Sequence, residues 1–316
     1  MDLSNREIFI IGGAGLIGSH ICDLLIKTNV KEVLIYDNLS RGNSSNLEKV
    51  LEDKRFSLVN GDILYGEQLK HFSKGYTDVI HLAAIWLNHC QEFPQEAFQQ
   101  NLIGTNNVFK ICIDNNISNI VFSSSASVYG NPDSDLITEE SPYNNTTFYG
   151  ATKIAGEHLL KAYCNKYNIN GTALRYFNVY GPRQDYQGAY ISVVTKMVDA
   201  ALSGNPLVIY GNGKQSFDFI YVKDIARANL AALQLDVGFN YFNVCTGKTI
   251  SILEIAKTIC EICNIEENFE YKEHNFPVSF RRGCPIKASK GLSFLAQTDL
   301  KEGLTNLINW IRDDRN

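Results

Sequence analysis

Tyr149 and Lys153 stand four positions apart in the segment FYGATKIAGEHLL. On a helix that spacing puts both side chains on one face, with the ammonium beside the phenol. A phenol of pKa near ~10 is a poor base at neutral pH, and bringing it to neutrality requires roughly 4 kcal/mol of preference for the phenolate. A neighbouring cation contributes to that preference. Ser125 precedes Tyr149 by 24 positions in NIVFSSSASVYG, an apolar run that empties into three serines. Its hydroxyl would hydrogen-bond a substrate oxygen, so the three groups together can draw a proton from a substrate hydroxyl. With 16 tyrosines in the chain, a Tyr-x-x-x-Lys pair alone is weak evidence. Its combination with a second site carries the weight.

That second site is EIFIIGGAGLIGSHICDLL, which runs from a strand pattern through glycines into a helix pattern. Gly13-x-Gly15-x-x-Gly18 fits the dinucleotide fingerprint, and Gly12-x-x-Gly15-x-x-Gly18 fits its wider-spaced variant. Such glycines allow a tight turn and close backbone approach to a pyrophosphate, while the helix N-terminus favours its charge. Asp37 ends the next strand pattern, VLIYD, where the fingerprint expects an acid for the ribose hydroxyls. A carboxylate there repels a 2′-phosphate and favours NAD over NADP. Arg41 is the countervailing group, but it would need Asp37 neutralised first. Asp62 and Ile63 after the third strand, and Ala83 and Ala84 after the fourth, face the same crevice, Asp62 toward the adenine amino group. Ordinary strand packing is the other reading of the alanines.

These residues need a scaffold that aligns strand ends. Strand patterns fall at Glu7–Ile11, Glu32–Tyr36, Phe56–Asn60, Asp78–Ala83, Asn119–Ser123 and Gly171–Arg175. Helical patterns lie between them near Leu16–Lys27, Gly66–Phe72, Pro94–Asn115 and Phe148–Tyr167. Alternation of this kind predicts an α/β fold with a doubly wound parallel sheet. Beyond Arg175 the order is less regular, with helices predicted at Ile191–Leu202, Val222–Gln234, Ile252–Asn264 and Leu300–Arg312. Short strands are predicted at Pro206–Tyr210, Asp218–Tyr221 and Tyr241–Val244.

The 316 residues, 45% hydrophobic and 20% charged, suit two modest domains or one large one with a substantial core. A net charge of −5 supplies no global field for nucleic acid or anionic membrane, so an anionic ligand must be held by local groups. Cys22, Cys90, Cys112, Cys164, Cys245, Cys260, Cys263 and Cys284 have no paired rhythm, as expected of thiols in a reducing compartment. Cys260 and Cys263 sit inside a helical pattern without a second pair, which reads as packing rather than a metal site. No apolar stretch reaches the ~18 residues of a membrane span, and no signal-peptide pattern opens the chain, so a cytoplasmic location is expected.

GGAGLIGSH, YDNLSRG, GDI, HLAA, NLIGT, SSSASVYG, YGATK, RYFNVYGPR, YGNGKQSFDFIYVKDIA and LKEGL together resemble the extended short-chain dehydrogenase/reductases, in particular the NAD-dependent nucleotide-sugar epimerase/dehydratase family. The resemblance implies a Rossmann NAD-binding domain over residues 1–176, rejoined by about 215–248. It implies a smaller, discontinuous C-terminal substrate-binding domain from 177–214 and 249–316. It assigns Ser125, Tyr149 and Lys153 as catalytic. NAD is expected against Gly12, Gly15, Leu16, Ile17, Gly18, Asp37, Asn38, Ser40, Asp62, Ile63, Leu82, Ala83, Ala84, Asn101, Ser123, Tyr149, Lys153 and Tyr176. The nucleotide-diphospho-sugar is expected against Trp86, Asn88, Ser125, Tyr149, Asn178, Lys214, Arg281 and Arg282. Similar proteins are commonly homodimers, paired through the helices predicted at Pro94–Asn115 and Phe148–Tyr167.

Dehydratases of this family carry acidic residues just after the Ser or Thr, whereas here Ala126 and Ser127 follow Ser125. The SSSASVYG form therefore resembles that of 4-epimerases. The same residues would support a 4-dehydrogenase that releases the ketone, and a non-catalytic NAD-binding regulator is the reading from another class. Phe217 stands where the family normally has an arginine for the substrate diphosphate, and an aromatic ring cannot replace a guanidinium fork. Pro285 stands where an aspartate is common. Trp86, Asn88 and His89 follow strand four, where family members contact the hexose; for His89 a solvated surface position is the other reading.

Overall fold

A computed structural model of the chain describes residues 2–132, 134–188, 191–236, 238–273 and 280–315. Seven parallel strands form the central sheet: β1 (Glu7–Ile11), β2 (Glu32–Asp37), β3 (Phe56–Asn60), β4 (Asp78–His81), β5 (Asn119–Ser125), β6 (Asn170–Tyr176) and β7 (Phe239–Val244). Their spatial order is β3-β2-β1-β4-β5-β6-β7. Strands covered on both faces read as continuous apolar runs, and β1 shows why. Ile8 and Ile10 point into the core under helices Leu16–Leu25 and Val222–Ala232, while Phe9 and Ile11 point into the core under Thr105–Asp114 and Phe148–Tyr167.

A further apolar cluster lies among helices Val193–Leu202, Ile252–Cys263 and Leu300–Arg315, centred on Met197, Ile255 and Leu307. Beside it, Leu207–Tyr210 pairs in parallel with Phe269–Lys272. No helix among the described residues is long and apolar enough to cross a membrane.

One expectation fails in an informative way. The single helix predicted at Pro94–Asn115 is a short turn at Pro94–Glu96, a π-helix at Ala97–Gly104 and an α-helix at Thr105–Asp114. Gly104 lies so close to Ile63 that a Cβ there would stand 2.4 Å from Cδ1. From the wide turn, Asn101 accepts from the Ile85 N–H at 2.8 Å and donates to the Ile85 carbonyl at 2.9 Å. The widened helix thereby pins the chain leaving β4, and no apolar periodicity announces that contact.

Candidate functional site

The sheet order reverses between β1 and β4, and a crevice opens at their carboxyl ends, where such folds bind ligands. Gly12 follows β1 with φ +82°, and a Cβ on it would stand 2.6 Å from the Ala83 nitrogen. The Leu82 and Ala83 N–H groups both donate to the Ile11 carbonyl, at 2.8 and 3.1 Å, which draws the β4 end across the glycine turn. Gly18 brings helix Leu16–Leu25 equally close, because a Cβ there would meet the Gly13 Cα at 2.4 Å. Gly15 caps that helix without a side-chain acceptor, so no side chain of the cap competes for its first-turn N–H groups.

The crevice holds about 330 Å³ and is lined by Gly12, Gly15, Asp37, Asn38, Ser40, Ile63, Leu82, Ala83 and Ala84, with Tyr36, Trp86 and Gln100. Each Asp37 carboxylate oxygen accepts one backbone N–H, from Ala14 and from Leu39, both at 2.9 Å. Burial pushes its pKa up, against those two hydrogen bonds. A carboxylate oxygen can accept more than one hydrogen bond, so acceptor capacity remains for ribose hydroxyls. Arg41 does not neutralise Asp37: its guanidinium lies 3.2 Å over the Trp86 ring and 3.4 Å from Asp185. A glycine cradle with no room for a Cβ, a free helix N-terminus and an acid on the ribose side fit a dinucleotide such as NAD.

Ser125 ends β5, and its Oγ accepts the Ser127 N–H at 3.1 Å. Tyr149 occupies the first turn of helix Phe148–Tyr167, whose start is fixed by Thr147 accepting the Gly150 N–H. Asn145 in turn accepts the Thr147 N–H and hydroxyl. Lys153 follows one turn later, almost fully buried, and donates to the Ser123 carbonyl at 2.7 Å. Its Nζ stands 5.6 Å from the Tyr149 ring centre.

The electrostatics differ from the expectation of an activated phenol. Burial pushes the Tyr149 pKa up to about 12, opposed by a hydrogen bond with Ser125. Burial also lowers Lys153 to about 8, opposed by Cys90 and Glu157. In the protein chain alone, desolvation outweighs the hydrogen bond that favours the phenolate.

A larger cavity of about 750 Å³ adjoins the crevice and shares Gly15, Arg41, Ala84 and Trp86 with it. Leu16, Trp86, Asn88, Tyr149 and Asn178 line it, as do Arg183, Asp185, Trp310 and Asp314. Asp62 lies just outside the crevice, in a shallow depression with Asn38, whose amide donates to it at 2.9 Å. Ile17, Gly18, Asn101, Ser123 and Tyr176 sit behind the walls rather than in them. The Tyr176 hydroxyl, for example, donates to Asn229 at 3.0 Å.

The expected cations end up elsewhere. Lys214 is exposed on a turn, its N–H bonded to Asn212. Arg281 donates to the Gly130 carbonyl at 2.6 Å, and neither it nor Arg282 lines the crevice or the cavity. Strand Phe280–Arg281 is drawn there by pairing with Ser216–Phe217. Phe217 lines a side pocket of about 290 Å³ with Met197, Val208, Tyr210 and Ile252, reached past Ile191 and Val193. Lys196 is the cation in that lining, a residue the sequence reading passed over. Its signal was its place three positions after Val193 on the same helix face.

A family model described as the NAD dependent epimerase/dehydratase family matches residues 8–245. A Methanocaldococcus jannaschii protein, provisionally named a UDP-glucose 4-epimerase, is 36% identical over 310 residues, covering 97% of this chain and 99% of its own. The solved UDP-N-acetylglucosamine 4-epimerase from Methanobrevibacter ruminantium, in complex with UDP-N-acetylmuramic acid, is 33% identical with a TM-score of 0.93, covering 99% of this chain and 100% of that one. The Thermus thermophilus UDP-glucose 4-epimerase in complex with NAD is 28% identical with a TM-score of 0.87, over 97% and 99% of the two chains.

Proposed function

The chain belongs to the NAD dependent epimerase/dehydratase family, and from that premise we propose that it is a nucleotide-diphospho-sugar 4-epimerase working through a 4-keto sugar. The observation that carries this reading is Tyr149 in the lining of the larger cavity, with Ser125 hydrogen-bonded to its hydroxyl and the buried Lys153 ammonium 5.6 Å from its ring centre. Gly12, Gly15, Asp37 and the first turn of helix Leu16–Leu25 would hold NAD, which supplies the acceptor for the C4 hydride and a positive charge beside the phenol. Ser125 holds the C4 oxygen, Tyr149 takes its proton and later returns one, and the Lys153 ammonium favours the phenolate in between.

The cavity gives a keto sugar room to present its other face. Elimination is disfavoured because no carboxylate follows Ser125, and the acids lining the cavity are engaged elsewhere. Asp185 faces Arg41, and Asp314 accepts from the Tyr186 hydroxyl at 2.6 Å. Exposed Phe93, Phe98, Ile103 and Phe148, on the segment from residue 93 to 103 and on helix Phe148–Tyr167, support pairing of two copies through that face.

The test is incubation with uridine, guanosine, thymidine and cytidine diphospho-sugars, followed by proton NMR of the sugar and by reduced-cofactor absorbance. Many turnovers per bound NAD without an oxidant are expected. One equivalent of reduced cofactor followed by arrest would convert the reading to a 4-dehydrogenase, and no change in any sugar would sink it. A finer expectation concerns Phe217. Phe217→Arg places a guanidinium in a side pocket where Lys196 is the cation among the described residues, and KM for a turned-over nucleotide sugar should fall by roughly 10-fold. An unchanged or higher KM in steady-state assays counts against a diphosphate near this position.

A further inference from the structure

We propose that Glu157 and Arg175 are positioning residues: their buried ion pair clamps the end of β5 onto the helix that carries Tyr149 and Lys153, and so fixes where Ser125 stands. This rests on the reading of Ser125, Tyr149 and Lys153 as the reacting groups. The side chains of Arg175 and Glu157 are only 1% and 2% exposed. Two charges so deep in a protein persist only when geometry and hydrogen bonding are complete.

Here they are complete. A guanidinium has five N–H groups, and all five are used. Nε donates to Glu157 Oε1 at 2.9 Å and Nη2 to Oε2 at 2.6 Å. Nη2 also donates to the Tyr143 hydroxyl at 2.7 Å, while Nη1 donates to the Tyr129 hydroxyl at 2.7 Å and the Glu139 carbonyl at 3.1 Å. The carboxylate fills its own four acceptor positions with those two bonds, the Ser124 hydroxyl at 2.5 Å and the Tyr143 hydroxyl at 2.9 Å. Tyr129 passes the order on by donating to Asn243 of β7 at 2.6 Å. One saturated network thus ties β5, β6 and β7 to the helix and to the turn Ala126–Tyr129 that follows Ser125.

The serine run shows what the clamp does. Ser123 accepts Lys153 through its carbonyl, Ser124 donates to Glu157, and Ser125 meets Tyr149. Lys153 and Glu157 are one turn apart, so a shift of the helix along β5 would break both anchors and move the phenol away from Ser125. Glu157 also supports the Lys153 charge. The other groups facing that ammonium are Cys90, Tyr149 and the buried, neutral His81. Around Glu157 stand Arg175, Tyr129, Tyr143 with His158 against it, Glu139, Glu140, Tyr241 and Lys287.

The experiment compares the wild-type protein with Glu157→Gln. Two readouts are taken: the pH dependence of kcat, and a titration of the Lys153 Nζ by nitrogen NMR, assigned through Lys153→Arg. In Glu157→Gln, kcat should fall by roughly 10-fold or more, as expected for a misplaced reacting group, with KM nearly unchanged. The pH at which kcat stops rising and the Nζ titration should both move to lower pH, because the carboxylate that supports the ammonium is gone. A purely structural pair would lower the melting temperature and leave kcat, measured well below that temperature, within a few-fold of wild type, and that result overturns the proposal. The nitrogen titration needs no sugar and reports the charge effect alone, so absent turnover in the wild type sinks the functional reading, while wild-type turnover with an unaffected kcat in Glu157→Gln sinks this one. If Glu157→Gln does not fold, Ser124→Ala removes one hydroxyl and leaves the ion pair. It should lower kcat several-fold, with rescue by Ser124→Thr, and an unchanged kcat overturns the clamp.

Discussion

Tyr149→Phe should reduce turnover by roughly 10²-fold or more while leaving nucleotide-sugar binding within a few-fold, as expected for loss of a general base. The ring stays, so the cavity wall stays; only the hydroxyl that meets Ser125 goes. The pH dependence sharpens the test. Tyr149 is pushed up to about 12 and Lys153 down to about 8, so at neutral pH the phenol is protonated and the ammonium is charged. Raising the pH toward 8 favours the phenolate, but above it Lys153 loses the charge that steadies that phenolate. Wild-type kcat should therefore rise from the acid side and level off on passing about 8, where each further gain in phenolate is offset by loss of the ammonium. In Tyr149→Phe the residual rate should lose the rising limb. Retention of activity within a few-fold, or a profile identical to wild type, would remove Tyr149 from the reaction.

Gly12→Val should yield protein that purifies without NAD and does not take it up. At φ +82° a β-branched residue is strained by about 1–2 kcal/mol, which favours a turn of another shape. The larger effect is steric, because the new Cβ would meet the Ala83 backbone rather than a side chain that can turn away. Either β4 is pushed from β1 or the turn reverses, and both spoil the cradle. Cofactor released on denaturation and calorimetric titration with NAD report the loss. Affinity within a few-fold of wild type would mean that the dinucleotide does not lie against this turn. A melting curve separates that result from global unfolding.

The central sheet is readable in the sequence because parallel strands buried on both faces leave continuous apolar runs. β1 and β3 fall at the predicted boundaries, and helix Gly66–Phe72 does too. Asp37 and the Tyr149–Lys153 pair are readable because fingerprint spacing and helical period are local rules. The Glu157–Arg175 clamp is not, since its members come from three strands, a helix and a loop, and polar pairing across such distances has no periodic signature. The placement of the cations near the substrate region is hard to read for a related reason. Whether an arginine such as Arg281 faces the cavity or a backbone carbonyl depends on which edge its two-residue strand joins, and so short a strand leaves almost no pattern. The π-helix escaped notice because a helix with one wide turn still reads as helical.

The two cavities differ in when they can exist as the chain leaves the ribosome. Every residue lining the glycine crevice lies between Ile11 and Gln100. The larger cavity needs Trp310 and Asp314, from the helix Leu300–Arg315. N-terminal portions of a growing chain fold first. The walls of the crevice are thus synthesised some 200 residues ahead of the wall that completes its neighbour. A nascent chain can assemble a place for the dinucleotide long before it can enclose a sugar.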